Sequence, residues 1–435
     1  MSPKIKPRER DAIVQSLRSG VVPRIGLQHI QVGRAAEVKA MLADLERIKD
    51  GAASVRFVVG RFGSGKSFFL NLVRAVAFEK RFVVVQADIT TERRLQGSSG
   101  HARALYNELM RNMATRAKPE GGALEAVVAG FVANIEHELN KDEMDLQIAI
   151  SSRLEPLMEM VHCYDFIKAI QSYADGYATQ NEDKKQAALR WLRAEYSTKT
   201  DAKRDLGTST IIDDDNIYDY LKVLARFVSQ AVYAGLVVNI DELVVLSTRL
   251  NHVQARTANY EMILRIVNDC LQGNASNIGF LFAGTDSCLE DRRRGLFSYE
   301  ALQTRLGGPT QIAGYTDYSH PVLRLQSLTP EELFVLLLNI RRVFASGDDN
   351  KNLVDDDQIR AFMIDCAKRL GAEYFTTPRD VVKRFTSVLS ILEQNPGAKF
   401  AELVESVPLE HSEEASLVSS EESPDGDDDL ANFKL

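Results

Sequence analysis

The chain has 435 residues, of which 45% are apolar and 26% charged, and a formal net charge of −8. That length accommodates two or three domains or one elaborated core, and the balance is that of a soluble globular protein. The segment from Glu410 onward carries nine acidic residues and one lysine, so it accounts for the whole net charge; the near-neutral body argues against a strongly basic nucleic-acid-binding domain.

The first residues, Met1-Ser2-Pro3-Lys4-Ile5-Lys6-Pro7-Arg8, lack an apolar stretch of signal-peptide length, and no apolar run approaches a membrane span. A cytoplasmic protein with no membrane partner is expected. Cys163, Cys270, Cys288 and Cys366 show neither C-x-x-C nor a histidine at ligand spacing, which suits reduced core thiols better than disulfides or zinc.

In chain order, Arg8 to Ser19 reads as a short amphipathic helix, followed by the turn-like Gly20-Val21-Val22-Pro23-Arg24. Val32-Gly33-Arg34-Ala35-Ala36-Glu37 leads into a helical pattern from Val38 to Ile48 with a stop at Gly51. Val55 to Val59 reads as a buried strand that runs into Gly60-Arg61-Phe62-Gly63-Ser64-Gly65-Lys66-Ser67, a full match to G-x-x-x-x-G-K-[ST]. An apolar helix from Phe68 to Phe78 follows. The glycines let backbone N–H groups approach phosphate oxygens at the positive end of that helix. Lys66 would reach the β- and γ-phosphates, and the Ser67 hydroxyl would take a position on Mg²⁺.

Arg81 to Asp88 reads as a second buried parallel strand, completing a βαβ unit. From Thr90 to about Tyr233 the pattern is helical, with segments expected at Arg103–Ala114, Leu124–Leu139, Leu154–Ala174, Lys184–Tyr196 and Ile217–Tyr233. Two polar stretches interrupt it, 118–122 and 197–215, and the second is expected to be mobile. Gly235 to Glu242 is an apolar strand ending in two carboxylates. In a Walker B reading Asp241 holds Mg²⁺ and Glu242 orients and polarises the attacking water; in the plainer reading both favour a helix N-terminus.

A helix from about Asn259 to Leu271 precedes another buried strand, Asn277 to Gly284, whose polar end is Thr285-Asp286 and would also serve local hydrogen bonds. The clustered Arg292, Arg293 and Arg294 read as a solvated surface or a phosphate-backbone contact. From Leu323 onward the character is helical: Thr329 caps, Pro330 takes the first position, and helices are expected near 331–345, 355–370 and 378–394. Residues 412–435 are expected to be disordered, and the acidic run Asp427-Asp428-Asp429 before Leu430-Ala431-Asn432-Phe433-Lys434-Leu435 would dock on a partner, shield a basic surface or simply aid solubility.

With the phosphate loop and the Asp241–Glu242 strand in view the chain resembles P-loop ATPases of the AAA+ class and, more closely, through Gly20–Pro23, Val32–Glu37, Gly60–Leu70 and Gly295–Leu306, the BrxD family of ATP-binding proteins of BREX anti-phage systems. The resemblance implies an α/β P-loop NTPase fold: a parallel sheet with helices on both faces, a large helical insertion and a C-terminal helical lid. Its expected parts are 1–89 and 234–322 for the core, 90–233 for the insertion, 323–408 for the lid and 409–435 for the tail. It implies ATP and Mg²⁺ as ligands, with Gly60 to Phe68 and Arg34 around the nucleotide. Thr285, with Asp286 as competitor, would be the sensor near the γ-phosphate. Arg305, with Arg294 second, would be the arginine reaching a neighbouring subunit's nucleotide. Arg379, in Thr376-Thr377-Pro378-Arg379-Asp380, would be the second sensor, unless it serves only as a helix-start arginine paired with Asp380 or solvent. Implied partners are other copies of the chain, DNA and defence-system proteins, a helicase among them. A nucleotide-gated scaffold, in which ATP binding alone controls partner assembly, is the reading from a different class.

Overall fold

The computed structural model describes residues 4–139, 145–312, 315–370 and 377–408. The elements in chain order are α1 (Pro7–Arg18), α2 (Ala35–Lys49), β1 (Ala53–Val59), α3 (Lys66–Glu79), β2 (Val83–Asp88), α4 (His101–Arg111), α5 (Leu124–Leu139), α6 (Leu146–Leu154), α7 (Cys163–Ala178), α8 (Glu182–Leu192), α9 (Lys199–Leu206) and α10 (Ile217–Gln230). Then come β3 (Leu236–Asp241), α11 (Val244–Thr248), α12 (Val253–Gln272), β4 (Ile278–Gly284), α13 (Asp286–Glu290), α14 (Glu300–Leu306), β5 (Gln311–Ile312), β6 (Tyr315–Thr316), β7 (Val322–Arg324), α15 (Pro330–Phe344), α16 (Asp356–Leu370), α17 (Pro378–Gln394) and α18 (Phe400–Ser406). They form two compact units, one of Arg34–Gly60 and Phe69–Leu325, the other of the described parts of Met1–Gly33, Arg61–Phe68 and Gln326–Leu435.

The larger unit is built on a five-stranded sheet in the order β2-β3-β4-β1-β7, with every pairing parallel. Its strands are near-continuous apolar runs because both faces are covered. On one face Val55, Phe57, Val85, Val238, Ile240 and Phe282 join the core shared with the α4–α10 segment. On the other, Val58, Val84, Val237, Leu281 and Ala283 meet Met41, Leu45 and Ile48 of α2 and Phe69, Val73 and Ala77 of α3. Inside β1, Arg56 is 4% exposed and Asp44 of α2 1% exposed. Its Nε lies 2.5 Å from Asp44 Oδ2, and its Nη1 donates to the carbonyls of Tyr318 (2.9 Å) and His320 (2.6 Å). One buried ion pair thus ties α2 and the approach to β7 onto β1.

Three expectations change. The helix anticipated over 154–174 is interrupted: α6 ends at Leu154, a 3₁₀ turn holds Pro156, and α7 starts only after His162 in the left-handed region at φ 64°. The polar stretch 197–215, anticipated to be mobile, contains α9, capped by Thr198 and ended by Gly207 at φ 68°. Beyond it the buried carboxylate of Asp165 accepts from the backbone N–H and hydroxyl of both Ser209 and Thr210, and Trp191 Nε1 donates to the Thr210 carbonyl at 3.0 Å. Those anchors lie far back in the chain, so local composition does not reveal them. Finally, Leu323 and Arg324, anticipated as the start of a helical region, belong to the edge strand Val322–Arg324 paired with Phe57–Val59. Three residues are too few to show alternation, and β1 supplies the ladder.

In the smaller unit, Ile13 of α1, Leu337, Ile340 and Phe344 of α15, Phe362 of α16 and Val381, Phe385 and Leu389 of α17 form one core, with Phe68 packed against it. Thr329 and Glu332 form a reciprocal capping box at the start of α15. The sequence expectations for the tail and for Thr376 fall outside the described residues. All four cysteines are free and buried, and burial, followed by the charge of Asp269, pushes the Cys270 thiol up to about 12. No helix among the described residues is long and apolar enough to cross a membrane.

Candidate functional site

Because the sheet is parallel, its strand ends deliver their residues to one edge. Gly60, leaving β1, donates its N–H to the Gly284 carbonyl at 3.3 Å, and Leu243, just past β3, donates to Ala283 at 3.0 Å. The order β3-β4-β1 therefore sets Thr285 between Gly60 on one side and Asp241–Glu242 on the other. Asp88 ends β2 in register with Asp241, adding a carboxylate to which sequence reasoning assigned no role. The signal for it, an acidic residue closing an apolar strand, is the one that singled out Asp241.

Asp241 Oδ1 accepts the Glu242 N–H at 2.8 Å. Glu242 is exposed and takes φ 60°, in the left-handed region that a residue with a side chain rarely occupies, a strain that concentrates at functional turns. Asn239, two residues before Asp241 and so on the same face of β3, is 3% exposed and its Oδ1 has no hydrogen-bond partner among the described residues. An asparagine inside an apolar strand was the available signal for it.

The other arginines and polar ends of this unit to which the sequence assigned a role are engaged. Thr285 Oγ caps α13 by accepting the Cys288 N–H at 3.2 Å and lies 2.9 Å from Ser287 Oγ. Asp286 is paired at 2.6 Å with Arg324, which also holds Glu290. Arg305 Nε lies 2.5 Å from Asn268 Oδ1, and its Nη1 donates to the Ala301 carbonyl at 2.9 Å. Arg294 donates to the carbonyls of Thr248 and Leu250. Arg34 stands at the N-cap of α2 with φ 64° and pairs with Glu37 at 3.4 Å.

The smaller unit holds the loop itself. Gly63 and Gly65 adopt φ 73° and 91°, conformations that turn successive N–H groups toward one side, and α3 starts at Lys66. Lys66 Nζ donates to the Arg61 carbonyl at 2.9 Å and lies 5.4 Å from the centre of the Phe62 ring. Ser64 is buried. A Cβ on Gly63 would fall 2.5 Å from that of Thr377, the N-cap of α17, so the loop abuts the helix start that carries Arg379. A Cβ on Gly33 would likewise strike Glu332 of the α15 capping box, at 2.6 Å.

Within the smaller unit the positive-φ glycines and the α3 N-terminus are of the kind that suits a phosphate; within the larger, the carboxylate oxygens ending β2 and β3 are of the kind that suits a hard divalent cation. Lys66, Ser67 and Arg379 belong to the smaller unit, whereas Arg34, Asp241, Glu242, Thr285 and Arg305 belong to the larger. No curated protein matches the chain. A family model described as BREX system ATP-binding protein BrxC/D matches residues 5–407, and the chain therefore belongs to that family.

Proposed function

We propose that the chain is a Mg²⁺-dependent ATPase of AAA+ type that acts in the cytoplasm on DNA or with a DNA-processing partner. Membership of the BREX family makes it an ATP-binding protein of an anti-phage system. The step to hydrolysis is supported by the ordered edge on which Gly60, Thr285 and the Asp241–Glu242 pair follow one another, with Glu242 in a strained conformation.

In this reading Lys66 neutralises charge on the β- and γ-phosphates, while the Ser67 hydroxyl and the Asp241 carboxylate offer oxygens to the metal. Bound Mg²⁺ would offset phosphate charge. Glu242 orients the attacking water and accepts its proton. Arg34 lies beside the base, and Thr285 and Arg379 respond to the γ-phosphate. Arg305 serves a neighbouring copy in a head-to-tail homo-oligomer, which requires release from Asn268.

A nucleotide-gated scaffold is the second reading, favoured by the hold of Asn268 and the Ala301 carbonyl on Arg305. The test is ATP turnover against protein concentration, with and without single-stranded or duplex DNA, using Glu242→Gln as the blank. Turnover that rises more than proportionally with concentration supports the assembling ATPase. Tight ATP binding with turnover no higher than the blank selects the scaffold.

A further inference from the structure

Two loops of the larger unit carry arginines that the mechanism does not use. One follows α11 and holds Arg249, Asn251 and His252, all exposed; the other follows α13 and holds Arg292 and Arg293, also exposed. Arg294 staples the two together, its Nη2 lying 3.3 Å from the Thr248 carbonyl, 3.4 Å from that of Leu250 and 3.5 Å from Asn251 Oδ1. Buried Arg256 donates to the same Leu250 carbonyl at 2.8 Å, and the Tyr260 hydroxyl donates to the Arg294 carbonyl. Gly295 closes the second loop so tightly that a Cβ there would fall 2.7 Å from the Asp291 carbonyl oxygen. The surface is therefore preorganised by its own packing.

Its charge is also unbalanced. Elsewhere in this unit several surface arginines find carboxylates: Arg93, Arg116, Arg153 and Arg265 each lie within 3.3 Å of one. Among the described residues, Arg249, Arg292 and Arg293 have no ion-pair partner. The acids beside them are occupied: Asp291 Oδ1 accepts the Arg293 backbone N–H at 2.7 Å, while Asp286 and Glu290 are held by Arg324. Unpaired guanidinium forks on a fixed surface, in a chain whose body is otherwise near neutral, match a polyanion that presents repeated phosphates.

We propose that the loops 248–252 and 291–294 form a binding surface for a nucleic-acid sugar–phosphate backbone, contacted by Arg249, Arg292 and Arg293. The contacts are to phosphate, so binding is sequence-independent and strongly weakened by salt. The surface is separate from the ATP reading and stands if ATP is never hydrolysed.

The experiment measures binding of the full chain to fluorescent single-stranded DNA, duplex DNA and single-stranded RNA across a salt series, beside Arg249→Gln/Arg292→Gln/Arg293→Gln. The wild type is expected to bind at least one probe, and the triple variant to lose about tenfold or more in affinity, with a slope of log K against log salt shallower by about 2. The triple Arg→Lys variant, which keeps the charge, is expected to retain most of that slope and guards against a folding defect, as does an unchanged melting temperature. ATP binding should be the same in all three proteins. Failure of the wild type to bind any probe, or a slope unchanged in the Gln variant, overturns the proposal. Loss of concentration-dependent ATP turnover with nucleic-acid binding intact also overturns it, since the arginines would then serve a contact between copies.

Discussion

The carboxyl edge of the sheet and the helical segment between β2 and β3 are built on different principles. At the edge, backbone ladders in continuous register decide where Gly60, Thr285, Asp241 and Asp88 emerge, so their placement is set by the main chain. In the insertion, helices carrying Phe131, Phe166, Trp191 and Phe227 pack into one core, and the non-helical turns are held by a few buried polar groups reaching across long sequence separations, Asp165 foremost. Function should therefore be separable from stability at the edge, while in the insertion the polar residues carry the structure.

The largest expected effect tests the edge. Glu242→Gln should lower ATP turnover by about 10²–10⁴-fold while leaving ATP binding and melting temperature unchanged, as a positioned base would. Lys66→Ala should instead weaken ATP binding, read by titration with a fluorescent nucleotide. A Glu242→Gln protein that turns over normally refutes the assignment, and one that unfolds breaks the separation of chemistry from fold.

Next in size is the exception inside the sheet. Arg56→Ala takes from Asp44 its buried partner, leaves it only the largely exposed Arg47, and should destabilise the larger unit by about 3 kcal/mol in urea unfolding. Replacing both with methionine and leucine should recover most of the loss, because a buried ion pair adds little beyond well-packed apolar residues of similar volume.

Asp165 sharpens the insertion side. Asp165→Ala should cost about 1–3 kcal/mol and open the 207–212 turn to proteolysis, with nucleotide binding retained. The carboxylate also makes a pH prediction. Burial raises its pKa, but hydrogen bonds from Thr210 and Ser209 outweigh that and hold it below the ordinary aspartate value. A lowered folded-state pKa stabilises at pH above the unfolded value of about 3.9, and the contribution is lost as pH falls through the folded value. Cleavage at the turn should therefore rise with acid below about pH 4 in the wild type and be pH-independent there in Asp165→Asn, measured by an acid-active protease.

The smallest effect concerns Asn239. Replacing an amide whose buried oxygen lacks a partner with Leu should raise stability by about 1 kcal/mol. A fall in melting temperature would mean that the amide does structural work at the edge, through an internal water.

Much of this protein was readable without coordinates. The phosphate loop, the apolar strands around it and the acidic end of β3 were legible because each is a local pattern: glycines where φ must be positive, apolar runs where both faces are buried, carboxylates where a strand ends. The cap of α15 was legible for the same reason. Other features depend on partners distant in the chain. Arg56 finds Asp44 and two carbonyls near β7; Asp165 finds a turn that sequence reasoning took for mobile; β7 is a strand because β1 offers an edge; and Arg294 joins two loops into one basic surface. Short-range stereochemistry is written along the chain, whereas satisfying a buried charge or an open sheet edge requires groups that only folding brings together.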